Sequence, residues 1–151
     1  MLLSICIPTY NRLSNLKDCL NSIRISNKYQ KNFEFEVCVS DNGSAEDVSK
    51  IINEYRDHFK IKFNKNNKNL GFALNTIKSV SMAEGEYIWM IGNDDLLLPK
   101  TLNKLHTLLS KNLDTEYFFI NSFYLKTEFL KNFSQPFDTH NLPEGKMEAI
   151  S

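Results

Sequence analysis

Four short polar clusters carry the residue types that chemistry on a nucleotide would need. Pro8-Thr9-Tyr10-Asn11-Arg12 gathers a hydroxyl, an amide and a guanidinium just past an apolar run. An arginine fork matches phosphate oxygens, so the cluster suits a base or a phosphate. It equally suits a turn in which Asn11 caps the next helix. In Ser40-Asp41-Asn42-Gly43-Ser44, Asn-Gly is turn chemistry and Ser44 is able to cap a helix. Asp41 is able to accept hydrogen bonds from a nucleobase imide or a ribose hydroxyl. In Asn69-Leu70-Gly71-Phe72-Ala73-Leu74-Asn75, a glycine opens a helix. Such a start lets backbone approach a ligand and favours an anion; close packing of helix on sheet is the alternative. No GK[ST] follows, so this is not a Walker motif.

The sharpest cluster is Gly92-Asn93-Asp94-Asp95, between the apolar Tyr87-Ile88-Trp89-Met90-Ile91 and Leu96-Leu97-Leu98-Pro99. Adjacent carboxylates repel unless they are solvated or neutralised. A divalent cation with oxygen ligands is the natural neutraliser, and it would offset charge on a departing diphosphate. Read alone, the same residues form a polar turn before the helix near Pro99. Each cluster by itself is ambiguous; their joint arrangement is far more specific.

That arrangement depends on the elements between them. Leu2 to Pro8 is a short continuous apolar run, as a buried parallel strand requires. Leu13, Leu16, Leu20 and Ile23 follow at helical spacing. Phe33 to Val39 predicts a second strand. Ser44 with Asp47 resembles a capping box, and Val48, Ile51, Ile52 and Tyr55 supply a helical apolar face. Ile61 to Phe63 predicts a third strand. The helix opened by Gly71 would turn Ala73, Ile77 and Val80 inward, with Gly85 as its stop. Glu86 to Ile91 predicts a fourth strand. Pro99 fits the first turn of a helix carrying Leu102, Leu105, Leu108 and Leu109. Tyr117 to Leu125 predicts a fifth strand, and the tail after Phe133 lacks periodicity. Alternating strands and helices predict an α/β domain with a mostly parallel sheet covered on both faces. In such sheets ligands bind beyond the carboxyl ends of the strands, where all four clusters fall.

Bulk properties narrow the function. The 151 residues suffice for one domain with a core. Lysine plus arginine equals aspartate plus glutamate at 18 each, so no basic field marks a nucleic-acid partner. Lys60 to Lys68 is basic and asparagine-rich while Glu84 to Asp95 is acidic, an asymmetry that fits a solvated loop better than site chemistry. Cys6, Cys19 and Cys38 form no close pair; Cys6 and Cys38 read as small buried hydrophobes, and a reducing cytosol is the simplest setting. The apolar N-terminal run is too short for a signal peptide, and no run reaches the roughly 20 residues that span a bilayer.

The ordered series Ser4-Ile5-Cys6-Ile7-Pro8-Thr9-Tyr10-Asn11-Arg12, Val39-Ser40-Asp41-Asn42-Gly43-Ser44-Ala45-Glu46-Asp47, Asn69-Leu70-Gly71-Phe72-Ala73-Leu74-Asn75 and Gly85 through Pro99 resembles family 2 glycosyltransferases of the GT-A fold, over residues 2 to about 110. The resemblance implies a Rossmann-like three-layer α/β/α sandwich. Pro8, Thr9 and Tyr10 would line the nucleotide, with Arg12 near it. Asp41 would bind the base, commonly uracil. Asn69 and Gly71 would lie beside ribose and diphosphate, and Asn93 and Asp94 would complete the donor site. Asp94 would match the last acid of the DxD motif and, with Asp95 as an added acid, hold Mn2+ or Mg2+. The implied reaction is inverting transfer of a sugar from a nucleotide sugar, most simply a UDP-sugar, to a saccharide or lipid-linked acceptor in bacterial surface polysaccharide synthesis. A lipid-linked acceptor would imply peripheral association with the inner face of the membrane.

The sequence departs from the family pattern twice. Where the family often reads Asp-x-Asp-Asp, Gly92 replaces the first acid. The family's acceptor half and its catalytic base also lie downstream of the matched segments. Residues 1–130 would form the donor half, and 131–151 a tail or the start of the acceptor half. Asp114, Glu116, Asp138 and His140 sit in no base motif and suit surface roles. The alternative is a truncated, non-catalytic nucleotide-sugar-binding module. A dinucleotide enzyme is disfavoured because no G-x-G-x-x-G follows the first strand.

Overall fold

The computed structural model describes residues 2–112, 114–118 and 120. Its strands are β1 (Leu3–Thr9), β2 (Phe35–Asp41), β3 (Lys60–Lys65) and β4 (Tyr87–Met90); its helices are α1 (Leu13–Asn27), α2 (Val48–Tyr55), α3 (Phe72–Val80) and α4 (Thr101–Lys111). The strands form a parallel sheet in the order β3-β2-β1-β4. All seven residues of β1 and of β2 are buried, as befits central strands covered on both faces. The whole sheet lies in the first of two compact units, Met1–Lys104; the second, Leu105–Ser151, takes the last part of α4, where Leu105 and Leu109 are buried. Of the expected fifth strand, Tyr117 to Leu125, only Tyr117, Phe118 and Ile120 are among the described residues, and the tail lies outside them.

Alternation along the strands assigns the faces. Phe35 is on the side of α1 and α2: its ring lies 5.8 Å from Phe59, which stacks on Tyr55 at 6.1 Å, and the Tyr55 hydroxyl donates to the Lys17 carbonyl of α1. Ser4, Glu36, Ser40 and Lys62 point to the α3 side. There Asn75 of α3 accepts from Ser40 Oγ at 2.8 Å, and Lys62 Nζ reaches the Met82 carbonyl at 2.8 Å. The three layers are those expected. Cys6, Cys19 and Cys38 are all fully buried, as small hydrophobes would be.

Several local expectations are corrected. The inner face of α3 is polar: Asn75 and Ser79 are buried, whereas Ala73 and Ile77 are exposed and Val80 is half-buried. The backbone and Ser40 hydroxyl beneath this helix need hydrogen bonds, and Asn75 supplies them. Ser44 and Asp47 do not form a capping box. Asp47 is itself the N-cap of α2 and accepts from Ser49 N–H, while Ser44 bonds Asp41. Asn11 does not cap α1; the N-cap is Arg12, without a side-chain bond. Pro99 lies before α4 rather than in its first turn. Gly85 is not the stop of α3, which ends at Val80 with Ser81 as its cap.

Gly85 has a different task. A Cβ there would lie 2.7 Å from backbone atoms of Leu3 and Ser4, and its N–H donates to Ser4 Oγ at 2.8 Å. Glycine lets the chain enter β4 against β1. Gly85→Ala is expected to cost about 2 kcal/mol, as overpacking against unyielding backbone does; urea unfolding of the variant measures it.

The basic and acidic stretches also meet here, and Lys60 and Lys62 belong to a strand rather than a loop. Glu36, fully buried, accepts from Ser4 Oγ at 2.9 Å and from the Glu84 N–H at 2.8 Å. Lys60 and Lys62 reach both Glu36 (3.2 and 3.1 Å) and Glu84 (3.0 and 2.8 Å). Burial pushes the Glu36 carboxyl up, but the Glu84 N–H, Lys62, Ser4 and Lys60 outweigh it and hold it below the ordinary carboxylate range. This network lies toward the amino ends of the strands, away from the four polar clusters.

Candidate functional site

Strand order reverses between β1 and β4, the position at which open α/β sheets form a ligand crevice. Thr9 closes β1 and ties three loops together. Its Oγ1 accepts from Asn93 Nδ2 at 2.8 Å, and its carbonyl accepts from Asn42 N–H at 2.9 Å and Asn75 Nδ2 at 3.3 Å. Pro8, Thr9 and Asn93 are buried; Tyr10 is exposed beside them. Asn11 adopts φ 50°, a left-handed conformation that asparagine tolerates. Ser44 Oγ holds it by accepting its N–H at 2.8 Å, and Asn11 Oδ1 accepts from Ala45 N–H at 3.0 Å.

At the end of β2, Asp41 is 0% exposed. Its Oδ1 accepts from the Ser44 N–H and hydroxyl at 3.1 and 2.5 Å. Its Oδ2 is buried with no hydrogen-bond partner. Buried carboxylate oxygens rarely go unpaired, so this one is an acceptor in want of a donor. Next to it, Asn42 fixes the loop to α3: its Oδ1 accepts from the Leu70 N–H at 2.8 Å, and its Nδ2 donates to Asn69 Oδ1 and the Gly71 carbonyl. Asn69 Oδ1 also accepts the Gly71 N–H, so that atom serves the loop. Gly71, at φ 84°, has nothing within 4 Å of where a Cβ would sit; the start of α3 faces open space.

At the end of β4, the Asp95 carboxylate accepts from the Gly92 N–H at 2.6 Å, and Arg12 Nη1 donates to Asp94 Oδ2 at 2.9 Å. A Cβ on Gly92 would lie 2.7 Å from Asp94 Oδ1 and 3.1 Å from Asp95 Oδ2. Both carboxylates therefore converge on the place beside Gly92 where the motif's first acid would begin. Among the described residues no group of three His, Cys, Asp or Glu could hold a metal ion. Two converging carboxylates do fit Mg2+ or Mn2+, which take one or two protein carboxylates and complete their shell with water and phosphate oxygens.

Helix α1 positions this acidic loop. Besides Arg12, Cys19 Sγ lies 3.8 Å from the Gly92 carbonyl, Ser22 Oγ accepts from Leu97 N–H at 3.0 Å, and Ser26 Oγ accepts from Leu102 N–H at 3.0 Å. Sequence reasoning missed Ser22, Ser26, Asn42 and Asn75 as loop-holding residues. The only signal was indirect: Ser22 and Ser26 share the helical spacing of Cys19 and Ile23, and asparagines are dense around the strand ends. Asp114 and Glu116 are exposed in the second unit; Asp138 and His140 lie outside the described residues.

A parallel sheet with a switch point, a glycine-opened helix and paired carboxylates at its carboxyl edge makes this a doubly wound α/β domain. The chain belongs to glycosyl transferase family 2, whose model matches residues 4–147. It is 41% identical over 116 residues to the abequosyltransferase RfbV of Salmonella typhimurium, an alignment covering 76% of this chain and 34% of that protein. It is 36% identical over 100 residues to the chondroitin synthase of Escherichia coli, covering 65% of this chain and 14% of that one. Among solved structures, S. aureus TarS 1-349 in complex with UDP-GlcNAc matches with a TM-score of 0.66 at 26% identity, covering 75% of this chain and 32% of that 1-349 chain. The chain thus spans about a third of the length of RfbV. Among the described residues no helix is long and apolar enough to cross a membrane.

Proposed function

We propose that this chain is the donor-binding half of an inverting glycosyltransferase that takes its sugar from a UDP-sugar with Mn2+ or Mg2+ and serves surface polysaccharide synthesis. The observation that carries the reading is the buried, unpartnered Oδ2 of Asp41 at the carboxyl end of β2. The N3–H of a uracil is a donor of the kind this oxygen lacks. The open side of Gly71 gives ribose and diphosphate room at the start of α3. Pro8 and Tyr10 would border the base. Thr9, Asn69 and Asn93 serve the site from within the loops, since each already spends a side-chain atom on a neighbouring loop. Asp94 and Asp95 would hold the divalent ion, whose charge offsets that developing on the leaving diphosphate. The complex of TarS with UDP-GlcNAc supports a uridine donor, and the likeness to a chondroitin synthase supports a saccharide acceptor, with a lipid-linked one as the other reading. The base that deprotonates the acceptor hydroxyl would come from beyond the donor half.

Calorimetric titration of the chain with UDP, with and without Mn2+, is the test. Mn2+-dependent binding is expected; no binding of any nucleoside diphosphate would sink the proposal. Asp41→Asn sharpens it. Asparagine can keep Oδ1 for Ser44 but replaces the free acceptor by an N–H donor, opposed to the uracil N3–H. Loss of one hydrogen bond to a charged group predicts about a ten- to hundredfold weaker UDP affinity. CDP, whose cytosine N3 accepts, is expected to lose less. Equal losses for both nucleotides would contradict base recognition by Asp41.

A further inference from the structure

Resting on that reading of the site, the second feature of the crevice is what currently neutralises Asp94. Asp94 and Asp95 are adjacent carboxylates, and each has a donor of its own. Asp95 has the Gly92 N–H, and Asp94 has the guanidinium of Arg12 at 2.9 Å. The Arg12–Asp94 pair lies at the surface, with side chains 57% and 54% exposed. Exposed pairs are weak and exchange readily. Yet the arginine is not placed by chance. Asp41 binds the Ser44 hydroxyl, Ser44 Oγ accepts the Asn11 N–H, and Asn11 in its left-handed conformation hands the chain to Arg12 at the start of α1. A short relay thus runs from the base-binding carboxylate to the acid of the proposed metal site.

A divalent cation on Asp94 Oδ1 would meet the guanidinium charge on the other oxygen of the same carboxylate, and like charges a few ångströms apart repel. The two cations can share the site only if the guanidinium finds another anion. The diphosphate of the donor is one, and an arginine fork is shaped to take it. We propose that Arg12 is an exchangeable counter-ion: it occupies Asp94 in the free protein, opposes binding of the metal alone, and passes to the diphosphate when metal and nucleotide arrive together. Metal and donor then bind as a coupled pair.

The test is the affinity of the chain for Mn2+ without nucleotide, read from the electron paramagnetic resonance signal of free Mn2+, in the native protein and in Arg12→Ala and Arg12→Lys. Arg12→Ala is expected to bind Mn2+ alone about fivefold more tightly, as removal of a screened surface cation from one ligand implies. Its UDP affinity is expected to fall, and the strengthening of Mn2+ by UDP to shrink, because coupling is reciprocal. Arg12→Lys keeps the charge and is expected to keep the weak Mn2+ binding of the native chain. Unchanged or weaker Mn2+ binding in Arg12→Ala, with Mn2+-dependent UDP binding intact in the native chain, overturns this inference alone. No Mn2+ binding to the native chain even with UDP overturns the metal site on which it rests. The Arg12 side chain contributes no cap bond to α1, so the fold is expected to survive the substitution.

Discussion

Asp94→Ala is expected to abolish Mn2+-dependent binding of UDP, a loss of about a hundredfold or more. Altering groups that merely orient a metal's ligands typically costs ten- to a hundredfold, and a ligand itself costs at least as much. Three observations make Asp94 the acid to remove. It follows β4 at the switch point, its Oδ1 converges with Asp95 Oδ2 beside Gly92, and Asp95 is committed to the Gly92 N–H. Gly92 supplies no carboxylate to compensate. Because the Asp94 side chain is about half exposed and bonds only Arg12 among the contacts described, the circular dichroism spectrum should be unaltered. Mn2+-dependent binding that persists in Asp94→Ala would sink the metal assignment, and persistence in Asp94→Asn with loss in Asp94→Ala would show that charge is dispensable.

Glu36→Ala is expected to be the most damaging single change to the fold, costing about 3–4 kcal/mol, because it removes the buried acceptor of an ion-pair network and leaves buried donors unmatched. The Ser4 hydroxyl and the Glu84 N–H would lose their acceptor, and Lys62 would keep only Glu84 and the Met82 carbonyl; together these groups fasten β1, β2, β3 and the entry to β4. Replacing Glu36 and Lys62 together by Leu and Met is expected to recover much of the loss, since apolar substitutes avoid the desolvation cost of both ions. Denaturant unfolding of the single and double variants measures this. The network also sets the acid limit. The Lys62 and Lys60 hydrogen bonds hold the Glu84 carboxyl down at about 2, and Glu36 is likewise lowered. A carboxylate that is more acidic when folded stabilises the fold above its unfolded value, about 4.3, and that contribution is lost as pH falls through the folded value. Stability should therefore decline from about pH 5 toward pH 2 in the native chain, and much less steeply in the double variant. An identical acid profile in both would contradict the role given to the network. Since Glu36 sits toward the amino ends of the strands, the fraction that remains folded is expected to bind UDP normally.

The sheet was legible because β1 and β2 are buried on both faces, and a strand so placed is largely apolar, its few polar residues being paired within the fold. The four polar clusters were legible because they interrupt that pattern at each strand end. What was hidden is the polar packing. An apolar period in α3 pointed Ala73 and Ile77 inward, but the strand ends beneath need hydrogen bonds, and Asn75 makes four with Thr9, Ser40 and Asn66. Periodicity counts hydrophobic residues and is blind to an asparagine that satisfies buried backbone. Gly85 was misread for a related reason: a glycine after a helix suggests a stop, whereas here the constraint is the backbone of β1, distant in sequence. The pairing of Lys60 and Lys62 with Glu36 and Glu84 was equally out of reach, because which charges meet depends on strand register.

One consequence follows from the way the crevice is assembled. The residues that hold its loops, Ser22 and Ser26 of α1 and Asn42 and Asn75 across the sheet, are buried and bond to backbone. Those that meet solvent, Tyr10 and the open side of Gly71, hold no loop in place. Tyr10 lines the edge without framing it, whereas Asp41 holds Ser44 with one oxygen and leaves the other unpartnered. A residue such as Tyr10 can change singly, reshaping the site, while every loop keeps its place. A frame residue can change only together with the backbone it serves. A site built this way can be reshaped at its surface without refolding.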